Sequence, residues 1–169
     1  MTYPIKTFNL RALEGISEKQ IKVHLALYEG YVKQVNLILE NPATPRFAFE
    51  FNGMRMHEYY FEQFEVGQTS LTKSGVLENI EERVREVALT RGAGWVVVYC
   101  DPIAKTLHTI FVADHEVGQL AGLPIILALD LWEHAYMVDY LPATKKDYID
   151  AFFANLNWSV VEKRFEATI

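Results

Sequence analysis

The segment LALDLWEHAYMVDYLP, residues 127–142, sets a carboxylate and an imidazole four residues apart, just after an apolar run. The two groups, Asp130 and His134, can bind a cation or take part in proton transfer. The preceding run, PIILAL at 124–129, has the composition of a buried strand. The pair is therefore expected where the chain leaves its core, a position that suits a metal or acid–base site.

Two further histidines fall on apolar segments. His24 lies between Ile21 and Tyr28 on one face of a predicted helix, and His57 lies in an aromatic run on the next helix. Taken alone, each is interpreted as a hydrogen-bonded core histidine. His108, on a predicted strand, is expected on a solvated face without a role.

Taken together, these histidines favour a different interpretation. Burying several imidazoles without partners costs roughly a few kcal/mol. Three imidazoles and a carboxylate that met around a cation would all be satisfied, and such a nitrogen and oxygen ligand set suits zinc, iron or manganese rather than calcium. The spacing does not establish that the side chains converge, so core histidines and a buried metal site both stay open at this point.

Composition excludes several classes of function. The 169 residues are 50% hydrophobic and 13% aromatic, enough for a sizeable core, and the net charge of -6 argues against nucleic-acid or anionic-membrane partners. The longest apolar run, 120–129, is too short to cross a bilayer and contains Pro124. The N-terminal stretch has no apolar signal core, and Cys100, the only cysteine, cannot form an internal disulfide. A cytoplasmic protein is expected.

The first half of the chain predicts a helical hairpin. Ser17 and Gln20 form a capping-box pattern before a helix over 17–40, and Thr44 with Pro45 opens a second helix to about 64. The turn-rich stretch 65–75 predicts a boundary between an N-terminal helical hairpin domain, 1–66, and a C-terminal α/β domain, 67–169.

The second half predicts a mixed domain. A helix over 76–90 that ends at Gly92 precedes two strands, 95–100 and 106–112, which form a hairpin. A third strand is expected at 124–129. Short helices are expected around 131–138 and 145–165.

The motifs resemble those of the iron/manganese superoxide dismutase family. The segment DLWEHAYMVDY is similar to the family signature D-x-W-E-H-A-Y, in which the aspartate and the histidine bind the metal. Further resemblances lie in ISEKQIKVH, MHEYYF, GAGWVVV and the C-terminal YIDAFFANLNWSVVEKRFE. The similarity extends over nearly the whole chain.

The resemblance implies an α+β fold, with an N-terminal long α-hairpin and a C-terminal α/β domain that contains a three-stranded antiparallel sheet. It implies one iron or manganese ion per subunit, bound by His24, His57, Asp130 and His134. The implied activity is that of an antioxidant oxidoreductase, which disproportionates superoxide to dioxygen and hydrogen peroxide, in a homodimer or possibly a tetramer. A non-catalytic metal-binding relative and a zinc-dependent hydrolytic enzyme are the alternatives.

Residues around the ligands also match family positions. By resemblance, Trp132 shields the site from bulk water, and Tyr60 and Trp95 form its walls. Glu133 matches a glutamate that crosses the dimer interface to a ligand histidine of the partner, although it could be a plain surface carboxylate.

The chain departs from the family at the glutamine beside the solvent ligand of the metal. One of the two positions that can supply it is Gly53 here, four residues before His57, and the other is His115. We therefore expect His115 to enter the space that Gly53 leaves and to hydrogen-bond the solvent ligand, which would shift the reduction potential. The alternative is that His115 is an exposed loop histidine.

The active-site tyrosine is expected to be Tyr31, although its spacing from His24 is shorter than usual and Tyr28 competes with it. The second histidine of this helix is missing, with Leu27 or Tyr28 in its place, and its partner tyrosine across the interface is Met137. Lys145, or the adjacent Lys146, replaces an arginine of the substrate funnel and is expected to attract superoxide.

Overall fold

The fold begins with two long helices that pack against each other. The computed structural model describes residues 2–40, 46–67 and 77–169 of the chain. Helix α1 spans Glu18–Glu40 and helix α2 spans Phe47–Glu62, so the predicted hairpin is confirmed. The predicted start of the second helix at Thr44 and Pro45 lies outside the described residues.

The capping box predicted for α1 forms only in part. Ser17 Oγ accepts a hydrogen bond from the Gln20 amide at 3.0 Å. The Ser17 amide donates to Asp139 Oδ2 at 2.7 Å instead of to the Gln20 side chain. The Gln20 side chain is thereby free to bind elsewhere.

Three strands form the antiparallel sheet that was predicted. Strands β1 (Trp95–Asp101), β2 (Thr106–Val112) and β3 (Ile125–Asp130) lie in the order β2-β1-β3. Since Trp95 pairs with Val112 on one side and Asp130 on the other, β1 is central and β3 is an edge strand. Asp130, the last residue of β3, lies where this strand leaves the sheet.

Helix α3 spans Ile80–Ala88 and is shorter than predicted. It ends before Gly92, which has a positive φ of 121° and belongs to the turn that leads into β1. The predicted beginning of this helix at Val76 lies outside the described residues.

The prediction of a helix over 131–138 is wrong. Trp132 has an extended backbone, with φ −69° and ψ 149°, and only one 3₁₀ turn follows, Glu133–Ala135. Asp130 Oδ1 accepts a hydrogen bond from the Trp132 amide at 2.8 Å, a local side-chain contact that competes with helix formation.

The helix predicted over 145–165 is two helices, α4 (Lys145–Asn155) and α5 (Trp158–Glu166). Leu156 is extended, and the Asn157 side chain accepts a hydrogen bond from the Ser159 amide at 3.2 Å, so that it caps α5.

One hydrophobic core joins the hairpin to the sheet. Tyr28 and Phe61 from the helices belong to the same buried cluster as Val96 and Leu129 from the strands. Because the predicted boundary near residue 66 adjoins residues outside the described part, the division into two domains stays a prediction. In the described ranges, every helix is too short or too polar to cross a membrane.

Candidate metal centre

Four side chains from four elements meet between the hairpin and the sheet. His24 comes from α1, His57 from α2, Asp130 from the end of β3 and His134 from the 3₁₀ turn. Each offers one ligand atom, and these atoms all lie within 4.8 Å of one another. These residues are the ligand cluster, and the structure brings together the residues that the sequence could only suggest.

The ligand cluster is centred on one carboxylate oxygen. Asp130 Oδ2 lies 3.1 Å from His24 Nε2, 3.1 Å from His134 Nε2 and 3.7 Å from His57 Nε2. The side chains of His24, His57 and Asp130 are completely buried, and that of His134 is 24% exposed. Burying these polar ligand atoms together away from water is costly unless a further group, such as a cation, binds them.

The protonation states in the ligand cluster are those required to bind a cation. His57 Nδ1 donates to the Gly53 carbonyl at 2.6 Å, which leaves the lone pair on Nε2, and this buried atom has no hydrogen-bond partner among the described residues. Burial lowers the pKa of His24 and of His57, so both imidazoles are neutral near neutral pH. Burial alone would raise the pKa of Asp130, but His134 and His24 hold it well below its usual range. Neutral imidazoles and an ionised carboxylate are the ligand set that iron, manganese and zinc accept.

Hydrogen bonds fix the orientation of Asp130. Its Oδ1 atom accepts from the Trp132 amide at 2.8 Å, and its backbone carbonyl accepts from the Tyr148 hydroxyl at 2.8 Å. The Tyr148 hydroxyl lies 3.1 Å from that of Tyr60, which is buried against His24. Contacts of this kind typically orient metal ligands.

Gly53, Tyr31 and His115 meet beside the ligand cluster. A Cβ atom on residue 53 would lie 2.6 Å from Tyr31 Cε1 and 2.9 Å from His115 Nδ1, closer than packed atoms can approach. The two side chains thus occupy the volume that a larger residue would fill. The His115 ring lies 5.3 Å from the Tyr31 ring and 6.2 Å from the His57 ring, between centroids.

The tautomer of His115 is set by Trp95. The Trp95 indole N–H donates to His115 Nε2 at 3.0 Å, and an indole can only donate, so the neutral imidazole carries its proton on Nδ1. Burial lowers the pKa of His115, which favours this neutral form. His115 Nδ1 is buried and has no hydrogen-bond partner of normal geometry within the described ranges, and the Phe49 backbone lies close enough to the ring to counteract part of the lowering of its pKa. Asn52 Nδ2 donates a hydrogen bond to the His115 carbonyl at 2.6 Å.

Geometry separates the two candidate tyrosines. The Tyr31 ring lies 5.1 Å from the His57 ring, between centroids. The Tyr28 hydroxyl instead accepts from the Lys6 amide at 3.0 Å and lies 3.3 Å from Glu58 Oε1, away from the ligands. Burial raises the pKa of both phenols. Of the two, Tyr31 is the residue beside the site.

The remaining predicted residues lie around the cluster or on the surface. The Trp132 ring stacks on His134 at 6.1 Å between centroids. Glu133 and His108 are exposed, and Met137 is 47% exposed. Lys145 Nζ donates to the Thr90 carbonyl at 3.0 Å, beyond the end of α3.

Three residues that support the ligands had no role predicted from the sequence. Tyr148 binds the Asp130 carbonyl, while Gln20 and Gln63 bind the backbone near His134 and Asp130. Two amides on otherwise apolar helix faces were the available signal, but their partners are backbone atoms of distant segments.

Comparison with known proteins adds to this geometry. The family model of iron/manganese superoxide dismutases, C-terminal domain, matches residues 63–164. The chain is 33% identical to a superoxide dismutase [Fe] of Aquifex pyrophilus, over 91% of this chain and 86% of the relative. It is 29% identical to a superoxide dismutase [Mn] of Haloarcula marismortui, over 98% of this chain and 94% of the relative. The relatives are thus named for both metals.

Proposed function

The chain belongs to the iron/manganese superoxide dismutase family, and from this membership we infer that it disproportionates superoxide to dioxygen and hydrogen peroxide at the ligand cluster. The observation that carries the proposal is the convergence of His24, His57, Asp130 and His134 within 4.8 Å. One iron or manganese ion per subunit is the cofactor. A zinc-dependent hydrolase and a non-catalytic relative are not favoured, since the relatives are named as superoxide dismutases.

His24, His57, Asp130 and His134 would hold the iron or manganese ion, which would supply one-electron oxidation and reduction of superoxide. The chain would supply imidazole nitrogens from His24, His57 and His134 and a carboxylate oxygen from Asp130. The rings of Trp95 and Trp132, packed around the cluster, keep bulk water away from these ligands.

His115 and Tyr31 are proposed to handle protons in this site. His115 Nδ1 lies 2.9 Å from the place that a Cβ atom of residue 53 would take, and its N–H is proposed to hydrogen-bond the solvent ligand or the substrate. Tyr31 keeps its proton at neutral pH because burial raises the pKa of its phenol. A hydrogen-bond donor placed there stabilises added negative charge and so biases the reduction potential.

Superoxide is proposed to approach beside Tyr31. A cavity of about 250 Å³ there is lined by Leu27, Gly30, Tyr31, Gln34 and Glu50. Lys145, or Lys146, would supply local positive charge on a chain whose net charge is -6.

We also propose that the protein is a cytoplasmic homodimer. Glu133 is exposed and lies beside the ligand His134, so a partner subunit could reach it. The exposed Met137 and Val138 follow on the same turn and offer apolar surface for such an interface.

The test compares two histidines with different surroundings. We expect the wild-type protein and His108→Gln to bind about one iron or manganese ion per chain and to consume superoxide, because His108 is exposed. His57→Gln should lose both properties, since it removes a buried imidazole ligand. Elemental analysis and a superoxide assay provide the readouts. Stoichiometric zinc without superoxide turnover in the wild type would contradict the proposal.

A further inference from the structure

Gln20 binds the backbone that carries the ligand His134. It lies on α1 one turn before His24, and only 1% of its surface is exposed. Its Nε2 donates to the His134 carbonyl at 2.7 Å, and its Oε1 accepts from the Val138 amide at 3.0 Å. Only one orientation of the amide satisfies both partners.

Gln63 binds the backbone of the strand that carries the ligand Asp130. It lies at the C-terminal end of α2 and is completely buried. Its Nε2 donates to the Ala128 carbonyl at 2.7 Å, and its Oε1 accepts from the Ala128 amide at 2.8 Å. Ala128 is two residues before Asp130, so its backbone groups face the same free edge of β3.

The neighbours of Gln63 complete the cover of this edge. Arg164 of α5 donates to Gln63 Oε1 at 3.2 Å and to the Ile126 carbonyl at 3.3 Å. Tyr148 of α4 donates to the Asp130 carbonyl at 2.8 Å. An edge strand covered in this way has little freedom to shift relative to the helices.

Each helix of the hairpin therefore contributes one metal ligand and one glutamine that binds the backbone near a second ligand. Helix α1 carries His24 and Gln20, and α2 with its C-terminal cap carries His57 and Gln63. A buried backbone group that has no hydrogen-bond partner destabilises the folded protein. Each glutamine prevents this by staying bonded to its segment, and it thereby fixes the distance between its helix and that segment.

We propose that Gln20 and Gln63 are positioning residues that set the affinity of the metal site, by holding the backbone of His134 and of Asp130 against the helices that carry His24 and His57. This proposal rests on the function proposed above. Neither glutamine touches the reacting atoms, and both act through the ligands.

The chain contains a matched control in Asn155. Its amide is 3% exposed, and it binds the Glu14 backbone at both ends, since the Glu14 amide donates to Oδ1 at 2.9 Å and Nδ2 donates to the Glu14 carbonyl at 2.7 Å. Like each glutamine, Asn155 binds one backbone amide and one backbone carbonyl, with a further bond from Nδ2 to the Ala151 carbonyl at 2.7 Å, but the segment around Glu14 carries no ligand. A purely structural role predicts the same behaviour for all three amides.

The experiment replaces each amide by an apolar group of similar shape, in Gln20→Met, Gln63→Met and Asn155→Leu. The Mn²⁺ affinity of each full-length apoprotein is measured by competition with a chelator, and thermal unfolding of the apoproteins is recorded in parallel. We expect both glutamine variants to lose about 10- to 100-fold in affinity, as is typical of residues that orient metal ligands. Asn155→Leu should lose thermal stability alone.

Two results would overturn the proposal: an unchanged affinity in both glutamine variants, or an equal loss in Asn155→Leu. If a methionine variant does not fold, Gln→Glu at the same position keeps the acceptor half of the contact. Its added negative charge favours cation binding, so a lower affinity would support the proposal and an unchanged or higher affinity would overturn it. A wild-type protein that binds neither Mn²⁺ nor Fe²⁺ would instead contradict the proposed function.

Discussion

His115 can lie beside the ligand cluster because residue 53 has no side chain. The His115 and Tyr31 side chains approach the position of an absent Cβ to within 2.9 and 2.6 Å. Trp95 holds the imidazole in the tautomer that carries a proton on Nδ1. A side chain at residue 53 is therefore incompatible with the positions that Tyr31 and His115 take here.

Replacing this imidazole should impair the reaction. We expect His115→Ala to lower turnover per bound metal by about 10- to 100-fold and to shift the reduction potential, because it removes the donor at Nδ1. His115→Gln should keep part of the activity, since an amide can also donate. Redox titration and a superoxide assay provide the measurements. An unchanged potential and turnover in His115→Ala would remove His115 from the mechanism.

The ligands themselves could be predicted because each lies in its own recognisable motif. His24, His57, Asp130 and His134 come together as the resemblance implied. The roles of Gln20 and Gln63 could not be predicted, because an amide on an apolar helix face does not reveal which distant backbone segment it binds.

The helices and strands place the ligands through their ends and faces. Strand β1 matched the prediction closely because it pairs on both sides and is buried up to Cys100, so residues 95–100 are all apolar. The helix predicted at 131–138 failed because the Asp130 carboxylate binds the Trp132 amide and keeps that backbone extended. The same local contact orients a metal ligand, so the error lies at the functional site.

Alanine substitutions at Gly30 and at Gly53, which both lie within helices, should change the free energy of unfolding in opposite directions. Gly30→Ala in α1 meets open space and should raise the free energy of unfolding by about 0.5–1 kcal/mol, because glycine is a poor helix former. Gly53→Ala in α2 should lower it by about 1–3 kcal/mol and reduce turnover, since the new methyl group displaces Tyr31 or His115. Denaturant unfolding measures both variants. Equal stabilisation by both would contradict the packing described for Gly53.

Charge affects the molecule as a whole. With a net charge of -6, the protein repels superoxide at long range, so the local positive charge proposed at Lys145 would matter more than it would on a basic protein. Lys145 is held at the Thr90 carbonyl and is therefore a fixed rather than a freely moving charge.

This steering can be tested by charge reversal. We expect Lys145→Glu to lower the superoxide reaction rate at low salt by up to about tenfold, and added salt to narrow the difference by screening. Lys163→Glu on α5 makes the same change in net charge and should have a smaller effect. If Lys145→Glu and Lys163→Glu gave the same rate as the wild type at low salt, Lys145 would have no steering role.

The central claim is that the four converging ligands form a working redox site. The most direct test is the rate of superoxide disproportionation per bound metal, measured on protein loaded separately with manganese and with iron. We predict rapid turnover with at least one of the two metals at about one ion per chain. Negligible turnover with both metals at full occupancy would contradict the claim and would mean that the fold and its ligands persist without the chemistry of the family.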